Sequence, residues 1–429
     1  MEIIDDIVAI ILALATPNID VRAITLTHGN TTIGNTVRNA TTLFSVLEKQ
    51  TEYYKTHGGP TDKFQTSRPA LAIGAAMPIK STQILASYFH GEDGLGEIHT
   101  TASVDQQQHP HFTYKDWQSL IISDQEILDA EDTLYRKEKQ HSPLYTTSPR
   151  SGCDEILFQL AQAQPFTVTI VAVGPLTNLA LALENDPKTF CLAKRIIILG
   201  GAIDVPGNTS PFAEFNFLAD AHAAKAVLET THGYKPNTTI EDKLALHQTN
   251  GWCPLHVVML SIDAGEACST FPVSLLERYS PTVDTPLSQF ITPILEFVAD
   301  KSREYGKRQE HIALFDPVCI GLLLDFEASL ATKTPKLPVQ DQTAKSYLHR
   351  VIESGRLIQR RGGWTTYFED VRVETEGEFT RGMCCVDRRV FIGKQWTGVS
   401  TNVEVVREGP NASFLQRVME AMYDIHLND

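Results

Sequence analysis

The residues of this chain that could do chemistry are carboxylates and amides, and the most unusual of them precede apolar segments. Asp5 and Asp6 stand before the apolar run Ile7–Ala15, and Asp316 stands before the apolar run Val318–Leu324. Asp is favoured at a helix N-terminus because its oxygen accepts unpaired backbone N–H groups. A helix that is apolar all round is buried together with its N-terminus, however, and buried carboxylates repel one another. A hard cation such as Ca²⁺, which takes about six to eight oxygen ligands, would offset that repulsion.

Other polar residues follow predicted strands or lie in a glycine-rich segment. The segment HGEDGLGEIH begins at His90, and its composition fits a flexible surface turn as well as a mobile lid that carries a polar group to a ligand. At Glu214, Phe215 and Asn216, strand-like alternation predicts both polar side chains on one side, which suits two neighbouring hydroxyls of a sugar. Asn30 and Asn208 are further amides that follow predicted strands.

The elements that would position these residues alternate between strands and helices. The strands are almost entirely apolar and the connections are short, which indicates an α/β fold around a mostly parallel sheet with helices on both faces. Ligands of such sheets bind outside the carboxyl ends of the strands, where the polar residues would meet. The predicted strands are Val21–Thr27, Phe166–Val173, Arg195–Leu199 and His256–Ile262, and the predicted helices include Ile7–Ala15, Thr36–Lys49, Leu176–Glu184 and Ala412–Tyr423.

Three polar stretches interrupt this alternation. Residues 99–150, 233–252 and 331–365 are rich in polar residues, charge, Pro or Gly, and they are predicted to be surface insertions or poorly ordered loops. No internal repeat or clean linker is visible. The sequence therefore predicts one domain over residues 1–429 that carries insertions.

Composition limits the function classes. The chain has 429 residues and a net charge of −15, which disfavours nucleic acid as a partner and favours a neutral ligand or a cation. The longest apolar runs fall short of the roughly 20 residues that span a bilayer, so no membrane association is expected. The seven cysteines lack zinc-type spacing, which favours reduced thiols and a cytoplasmic location.

An ordered set of short motifs resembles the inosine-uridine preferring nucleoside hydrolases. The motifs are DD before an apolar helix, THGN, GAAMP, HGEDGLG, VAVGPLTN, LGGA, AEFN, FDP and TRGMCCVD, and they extend from about residue 4 to about residue 422. The resemblance implies a nucleoside hydrolase-like α/β domain that hydrolyses the N-glycosidic bond of ribonucleosides to base and ribose. It also implies a bound Ca²⁺ that holds the ribose hydroxyls and the attacking water, and assembly as a homodimer or homotetramer.

The resemblance assigns a role to each matching position. Asp6, Asp316 and the backbone carbonyl of Val173 are similar to the calcium ligands of the family. Asp5 is similar to the acceptor of a ribose hydroxyl, and His90 is similar to a histidine that approaches the base or sugar. The other positions implied to hold or border the sugar are Asn30, Asn208, Glu214 and Asn216.

The sequence departs from the family pattern in two places. The family signature D-x-D-P-G-x-D-D has a calcium-binding general base four residues before the first Asp of the pair, and that position is Met1 here. We expect the natural chain to begin further upstream, with a first strand and this base; the alternative is a catalytically impaired relative that binds ribosides or acts as a scaffold. Phe315 replaces the His that protonates the departing base in many members, which leaves stacking and predicts a slight preference for purine nucleosides. A Mg²⁺ phosphatase is disfavoured because no Lys and Ser/Thr set for phosphate is present.

Overall fold

The computed structural model describes residues 3–101, 142–305, 310–331, 358–389 and 399–427. The chain forms two compact units, each assembled from separate stretches of sequence. The first unit comprises Met1–Gln159, Ser269–Pro317 and Ala412–Asp429, and the second comprises Leu160–Cys268 and Val318–Asn411. The single domain over residues 1–429 stays a prediction.

Strands and helices alternate along the described residues. The strands are β1 (Ala23–Leu26), β2 (Ala70–Ile73), β3 (Thr146–Thr147), β4 (Thr169–Ala172), β5 (Arg195–Leu199), β6 (Val257–Leu260), β7 (Thr270–Pro272), β8 (His311–Ala313), β9 (Ile358–Arg361), β10 (Trp364–Glu369), β11 (Arg372–Val373), β12 (Cys384–Cys385) and β13 (Val403–Glu408). The helices are Ile3–Leu14, Ile33–His57, Ser87–His90, Ile98–Thr101, Gly152–Gln162, Thr177–Asn185, Pro187–Phe190, Phe215–Ala219, Ala221–Glu229, Ile240–Asn250, Ile262–Cys268, Val273–Tyr279, Pro286–Glu304, Phe315–Ala331 and Asn411–Tyr423, with a 3₁₀ turn at Ser280–Thr282.

The first unit contains a parallel sheet in the order β1-β2-β3 and the antiparallel pair β7-β8. Its N-terminal helix, Ile3–Leu14, is apolar and buried, and Ile7, Val8 and Ile11 have no exposed surface. The helix was expected to begin at Ile7. It begins at Ile3 instead, so Asp5 and Asp6 belong to its first turn rather than preceding it.

The second unit contains a six-stranded sheet in the order β4-β5-β6-β13-β10-β9. Strands β4, β5, β6 and β13 pair in parallel, while β10 pairs antiparallel with both β13 and β9. Every residue of β5 and β6 is buried, which explains their continuous apolar sequences, because a central parallel strand is covered on both faces. This unit confirms the predicted mostly parallel, buried sheet.

All three predicted insertions contain regular structure within the described residues, and in the stretch 99–150 this includes strand β3. Residues 240–250 form a helix whose start is stabilised by a capping box between Thr239 and Asp242. Of the two predictions for 233–252, a surface insertion or a poorly ordered loop, the loop is therefore wrong there. Strand β9 and the start of β10 lie at the end of the stretch 331–365. Residues 102–141 and 332–357 lie outside the described part of the chain.

No helix in the described part of the chain has both the length and the apolar character that crossing a membrane requires. All seven cysteines, from Cys153 to Cys385, are free thiols.

Candidate active site

Three aspartates come together in the first unit where two helices begin. Asp5 and Asp6 lie in the first turn of the helix Ile3–Leu14, and Asp316 is the second residue of the helix Phe315–Ala331. The Asp5 Oδ2 atom accepts hydrogen bonds from the backbone N–H groups of Phe315 at 3.1 Å and Asp316 at 3.5 Å. The side chain of Asp316 lies close enough to Asp6 to lower the pKa of Asp6. Asp6 and Asp316, which are 310 positions apart in sequence, therefore lie near each other in the structure, as the binding of one shared ion requires.

Burial changes the proton affinity of this cluster. Asp5, Asp6 and Asp316 are 8%, 3% and 0% exposed. Desolvation raises the pKa of Asp5 to about 6, although backbone hydrogen bonds from Asp316 and Phe315 oppose the rise. Desolvation, together with the charge of Asp5, raises the pKa of Asp6 to about 7. The cluster therefore holds a proton near neutral pH unless a cation replaces it.

The donor set suits a hard cation but is incomplete by itself. The Asp6 Oδ2 atom is buried and has no hydrogen-bond partner among the described residues. An oxygen of this kind is a ready ligand for Ca²⁺, which prefers carboxylate and carbonyl oxygens. The described residues contain no group of three or more His, Cys, Asp or Glu side chains in metal-binding geometry. A cation at Asp6 and Asp316 would need further oxygen ligands from the main chain, water or substrate.

His90 and Asn30 form a second polar pair in the first unit. The His90 Nε2 and Asn30 Nδ2 atoms are 3.1 Å apart, and the Asn30 carbonyl accepts a hydrogen bond from the Ala86 N–H at 2.8 Å. Burial lowers the pKa of His90 to about 4, so the imidazole is neutral at pH 7. When the Asn30 amide donates to Nε2, the proton resides on Nδ1, which is buried without a partner among the described residues. His90 can therefore donate a hydrogen bond to a ligand, but it is not an imidazolium acid.

The glycine-rich segment after His90 is a folded loop. Its Glu92 carbonyl accepts hydrogen bonds from the Thr31 hydroxyl at 3.2 Å and the Asn35 side-chain amide at 3.0 Å. These contacts attach the loop to the start of the helix Ile33–His57. Three residues that were not predicted as functional also hold this loop through mutual hydrogen bonds: Asn39, Asp93 and His99.

Glu214 begins a helix in the second unit, which corrects the predicted strand-like alternation. It is the N-cap of Phe215–Ala219, and its carboxylate accepts the N–H groups of Asn216 at 2.8 Å and Phe217 at 3.1 Å. The same carboxylate accepts the Gly201 N–H at 2.8 Å. Burial raises the pKa of Glu214, and these backbone hydrogen bonds oppose the rise. Glu214 therefore ties the turn after β5 to the helix start.

Asn216 and Asn208 complete the polar set of the second unit. The Asn216 Nδ2 atom donates to the carbonyls of Val173 at 3.4 Å and Leu199 at 3.3 Å, which lie at the carboxyl ends of β4 and β5. The Asn216 Oδ1 atom is buried and has no hydrogen-bond partner in the described ranges. The Asn208 Oδ1 atom accepts the Phe215 N–H at 2.9 Å. These polar groups converge at the strand ends, as expected for an open α/β sheet.

The double glycine after β5 permits this close packing. Gly201 has a φ of +82°, and a Cβ atom there would lie 2.5 Å from the Met259 Cε atom and 2.7 Å from the Cys384 Sγ atom. The LGGA and TRGMCCVD motifs therefore meet in the second unit. A side chain at Gly201 would displace the turn whose N–H binds Glu214.

The predicted site residues are thus distributed over both units. The first unit holds Asp5, Asp6, Asn30, His90, Phe315 and Asp316, and the second holds Val173, Asn208, Glu214 and Asn216. Within each unit these residues are held in hydrogen-bonded groups, but their assigned roles stay predictions. Met1, the position of the family's general base, lies outside the described residues.

Comparisons with known sequences give one family. The model of the family described as inosine-uridine preferring nucleoside hydrolase matches residues 2–416. The pyrimidine-specific ribonucleoside hydrolase RihA of Salmonella arizonae is 25% identical over 405 residues, which cover 94% of this chain and 92% of that relative. RihA of Escherichia coli O17:K52:H18 is 27% identical over 405 residues, with the same coverage of 94% and 92%.

Solved structures of similar fold include nucleoside hydrolases. The plant nucleoside hydrolase PpNRh1 superposes with a TM-score of 0.62 at 22% identity, over 98% of this chain and 96% of that one. A purine-preferring ribonucleoside hydrolase from Gardnerella vaginalis superposes with a TM-score of 0.59 at 17% identity, over 98% and 95% of the two chains. These likenesses confirm the predicted α/β fold.

Proposed function

Because the chain belongs to the inosine-uridine preferring nucleoside hydrolase family, we propose that it hydrolyses the N-glycosidic bond of ribonucleosides to free base and ribose. The resemblance predicted from the sequence is confirmed by this membership. The observation that carries the proposed reaction is the meeting of Asp5, Asp6 and Asp316 at two buried helix starts. A fold without a ligand at this place would retain three costly buried carboxylates for no purpose.

We propose Ca²⁺ as the cation of this cluster. Asp6 and Asp316 would hold it through their carboxylates, and further oxygen ligands would come from the main chain, water or substrate. When bound, calcium orients the ribose hydroxyls and the attacking water and lowers the pKa of that water. The buried Asp6 Oδ2 atom without a partner in the described residues supports this assignment.

The remaining residues of the site would bind the sugar and stabilise the transition state. Asp5, whose pKa burial raises to about 6, is ionised above that pH and accepts a ribose hydroxyl. In the second unit, the resemblance assigns a sugar-binding role to Asn208, Glu214 and Asn216, and the buried Asn216 Oδ1 atom can accept a hydroxyl. Glycoside cleavage passes through an oxocarbenium-like transition state, so carboxylates close to the ribose stabilise the developing positive charge.

Two residues of the first unit border the sugar and base. Asn30 aligns the ring of His90 through the Nδ2 to Nε2 contact of 3.1 Å. We propose that the neutral His90 donates a hydrogen bond from Nδ1 to the base or sugar. It does not protonate the leaving group, because a pKa of about 4 leaves almost no imidazolium at neutral pH.

Phe315 is the basis for a proposed preference for purines. Its backbone N–H binds Asp5 at 3.1 Å, which places the residue beside the carboxylate cluster. An aromatic ring cannot donate a proton, but it can stack on a base, and a purine offers the larger face. The names of the similar proteins include both a pyrimidine-specific and a purine-preferring hydrolase, so the base class must be measured.

A nucleoside panel tests the proposed reaction. The full chain, supplied with calcium, is incubated with inosine, guanosine, adenosine, uridine or cytidine, and free ribose is measured as reducing sugar. We expect ribose release by the unsubstituted protein and at least about a 100-fold loss in Asp316→Asn. The matched control is Asp20→Asn, which changes an aspartate whose side chain is 72% exposed. Absence of ribose release, with nucleosides still bound, would favour the impaired relative instead.

Location and assembly are further proposals. The free thiols of all seven cysteines support a reducing compartment, and we propose the cytoplasm. We also propose a homodimer or homotetramer, as the family resemblance implies. Light scattering of the purified chain measures the mass directly, and a monomer at micromolar concentration would refute the proposed assembly.

A further inference from the structure

Asp93 is a buried residue of the loop after His90 and is not among the predicted site residues. We propose that Asp93 is a positioning residue: its carboxylate holds residues 91–99 in one conformation and thereby keeps the His90 imidazole at Asn30. The effect on turnover rests on the proposed function, whereas the effect on the loop does not.

The Asp93 carboxylate is the centre of the loop's hydrogen bonds. Its Oδ1 atom accepts the backbone N–H groups of Leu95 and Glu97, both at 2.8 Å, and its Oδ2 atom accepts that of His99 at 3.0 Å. Asp93 is only 4% exposed. Three backbone donors satisfy a buried carboxylate without a cation, and hydrogen bonds to an ionised acceptor are stronger than neutral ones.

The loop adopts a conformation that would be unstable without such bonds. Gly91, Gly94, Gly96 and Glu97 all have positive φ, and for Glu97 the value is +60°. A non-glycine residue in this region costs about 1 kcal/mol or more. The Glu97 N–H is one of the donors to Asp93, so the carboxylate compensates the strained residue directly.

A second contact attaches this arrangement to the long helix Ile33–His57. The Asn39 Nδ2 atom donates to the Asp93 carbonyl at 2.9 Å, and the Asn39 Oδ1 atom lies 2.7 Å from the His99 Nε2 atom. Because Oδ1 can only accept, His99 carries its proton on Nε2. Burial lowers the pKa of His99 to about 4, so this anchor does not change its charge near neutral pH.

The loop conformation determines where His90 lies. The Gly96 N–H donates to the His90 carbonyl at 2.9 Å, and Gly96 stands between the two residues whose N–H groups bind the Asp93 Oδ1 atom. On its other side, the His90 N–H donates to the Ala86 carbonyl at 3.0 Å. The backbone of His90 is therefore held from both sides. Release of Asp93 frees one of these sides and lets the ring leave Asn30.

Asp93→Asn is the variant that tests this arrangement. The amide keeps the size of the carboxylate but has one acceptor oxygen, and its NH₂ group faces backbone donors. We expect faster hydrogen exchange at the amides of Leu95, Glu97 and His99, and a rise of the His90 pKa towards its ordinary value in an NMR titration. The matched control is Asp242→Asn, which changes a capping carboxylate outside this loop.

A double-mutant cycle separates positioning from general stability. We expect Asp93→Asn and His90→Ala each to lower kcat/KM by about tenfold or more, and Asp93→Asn to cause little further loss when His90→Ala is present. Coupling of this kind shows that Asp93 acts through His90. Independent, multiplicative losses would overturn the proposal and leave Asp93 a residue that only stabilises the fold.

The exchange and titration experiments decide the matter even if the unsubstituted chain releases no ribose. In that case the proposed function fails, while a rise of both loop exchange and the His90 pKa in Asp93→Asn still supports the positioning role. An unchanged His90 pKa in Asp93→Asn would overturn the positioning role regardless of activity. The control Asp242→Asn must leave both readouts unchanged.

Discussion

Asp6→Asn is expected to make the metal-free protein more stable and to abolish its response to calcium. In the absence of a cation, Asp6 is a buried carboxylate beside two others, and desolvation opposes its ionisation. Asparagine has nearly the same shape, carries no charge and can donate a hydrogen bond to Asp316 or Asp5. If Asp6 binds a ligand at the expense of stability, its replacement should raise the stability of the metal-free protein and remove the response to the ligand.

The magnitude follows from the pKa of Asp6. Its rise from the ordinary value of 3.8 to about 7 corresponds to about 4 kcal/mol, at about 1.36 kcal/mol per pKa unit. Because neighbouring carboxylates share the proton, we expect a measured gain of about 1 to 4 kcal/mol at pH 8. The gain should shrink as the pH falls below 7 and vanish below about pH 4, where Asp6 is protonated in both the folded and unfolded states.

Urea unfolding at pH 8 and pH 5, with EDTA or with excess calcium, measures both effects. With EDTA, the urea midpoint of Asp6→Asn should exceed that of the unsubstituted protein at pH 8, with a smaller difference at pH 5. Calcium at about 100 times its Kd should stabilise the unsubstituted protein by about 2.7 kcal/mol and leave Asp6→Asn nearly unchanged. Asp20→Asn, which changes an exposed aspartate, should behave like the unsubstituted protein.

The opposite pattern would refute this reasoning. If Asp6→Asn were less stable than the unsubstituted protein with EDTA at pH 8, Asp6 would be a favourable structural residue. If calcium stabilised both proteins equally, the cation would bind elsewhere.

Three further outcomes are expected. Burial raises the pKa of Asp5 to about 6 and that of Asp6 to about 7, so the folded metal-free protein binds more protons than the unfolded chain. Its free energy of unfolding in EDTA should therefore fall as the pH rises from about 4 to about 7, and calcium should remove this pH dependence. Phe315→Ala should lower kcat/KM for purine ribosides by about tenfold and for pyrimidine ribosides by less, because stacking is worth about 0.5–1.5 kcal/mol; equal losses would contradict purine stacking. Gly201→Ala should destabilise the protein by about 1–3 kcal/mol in thermal unfolding, because its Cβ atom would lie 2.5 Å from the Met259 Cε atom; an unchanged melting temperature would show that the turn relaxes freely.

Local sequence pattern predicted the buried strands well. The strand Arg195–Leu199 was predicted with the bounds that the structure has. A continuous apolar run indicates a strand that is buried on both faces, and Gly200 marks the end of that run. Helix bounds were less accurate, and Ile3–Leu14 begins earlier than its apolar run. Residues 240–250 were missed because a helix that buries only Lys243 has no apolar face to recognise.

The candidate site could be predicted in its residue types but not in its geometry. The order of motifs identified Glu214, yet its hydrogen bond from the Gly201 N–H forms only when the folded chain brings the two residues together. Asp93 and Asn39 are 54 positions apart, and no local pattern indicates that they meet. Hydrogen bonds between distant segments are determined by tertiary packing, and a single sequence does not reveal them.

Calcium binding by equilibrium dialysis tests the central claim most directly. The protein is first stripped with EDTA, and bound calcium is then measured for the unsubstituted chain, Asp316→Asn and Asp20→Asn. We expect about one tightly bound ion per chain in the unsubstituted protein and in Asp20→Asn, and none in Asp316→Asn. Equal binding by all three proteins would contradict the claim that Asp6 and Asp316 jointly hold the ion.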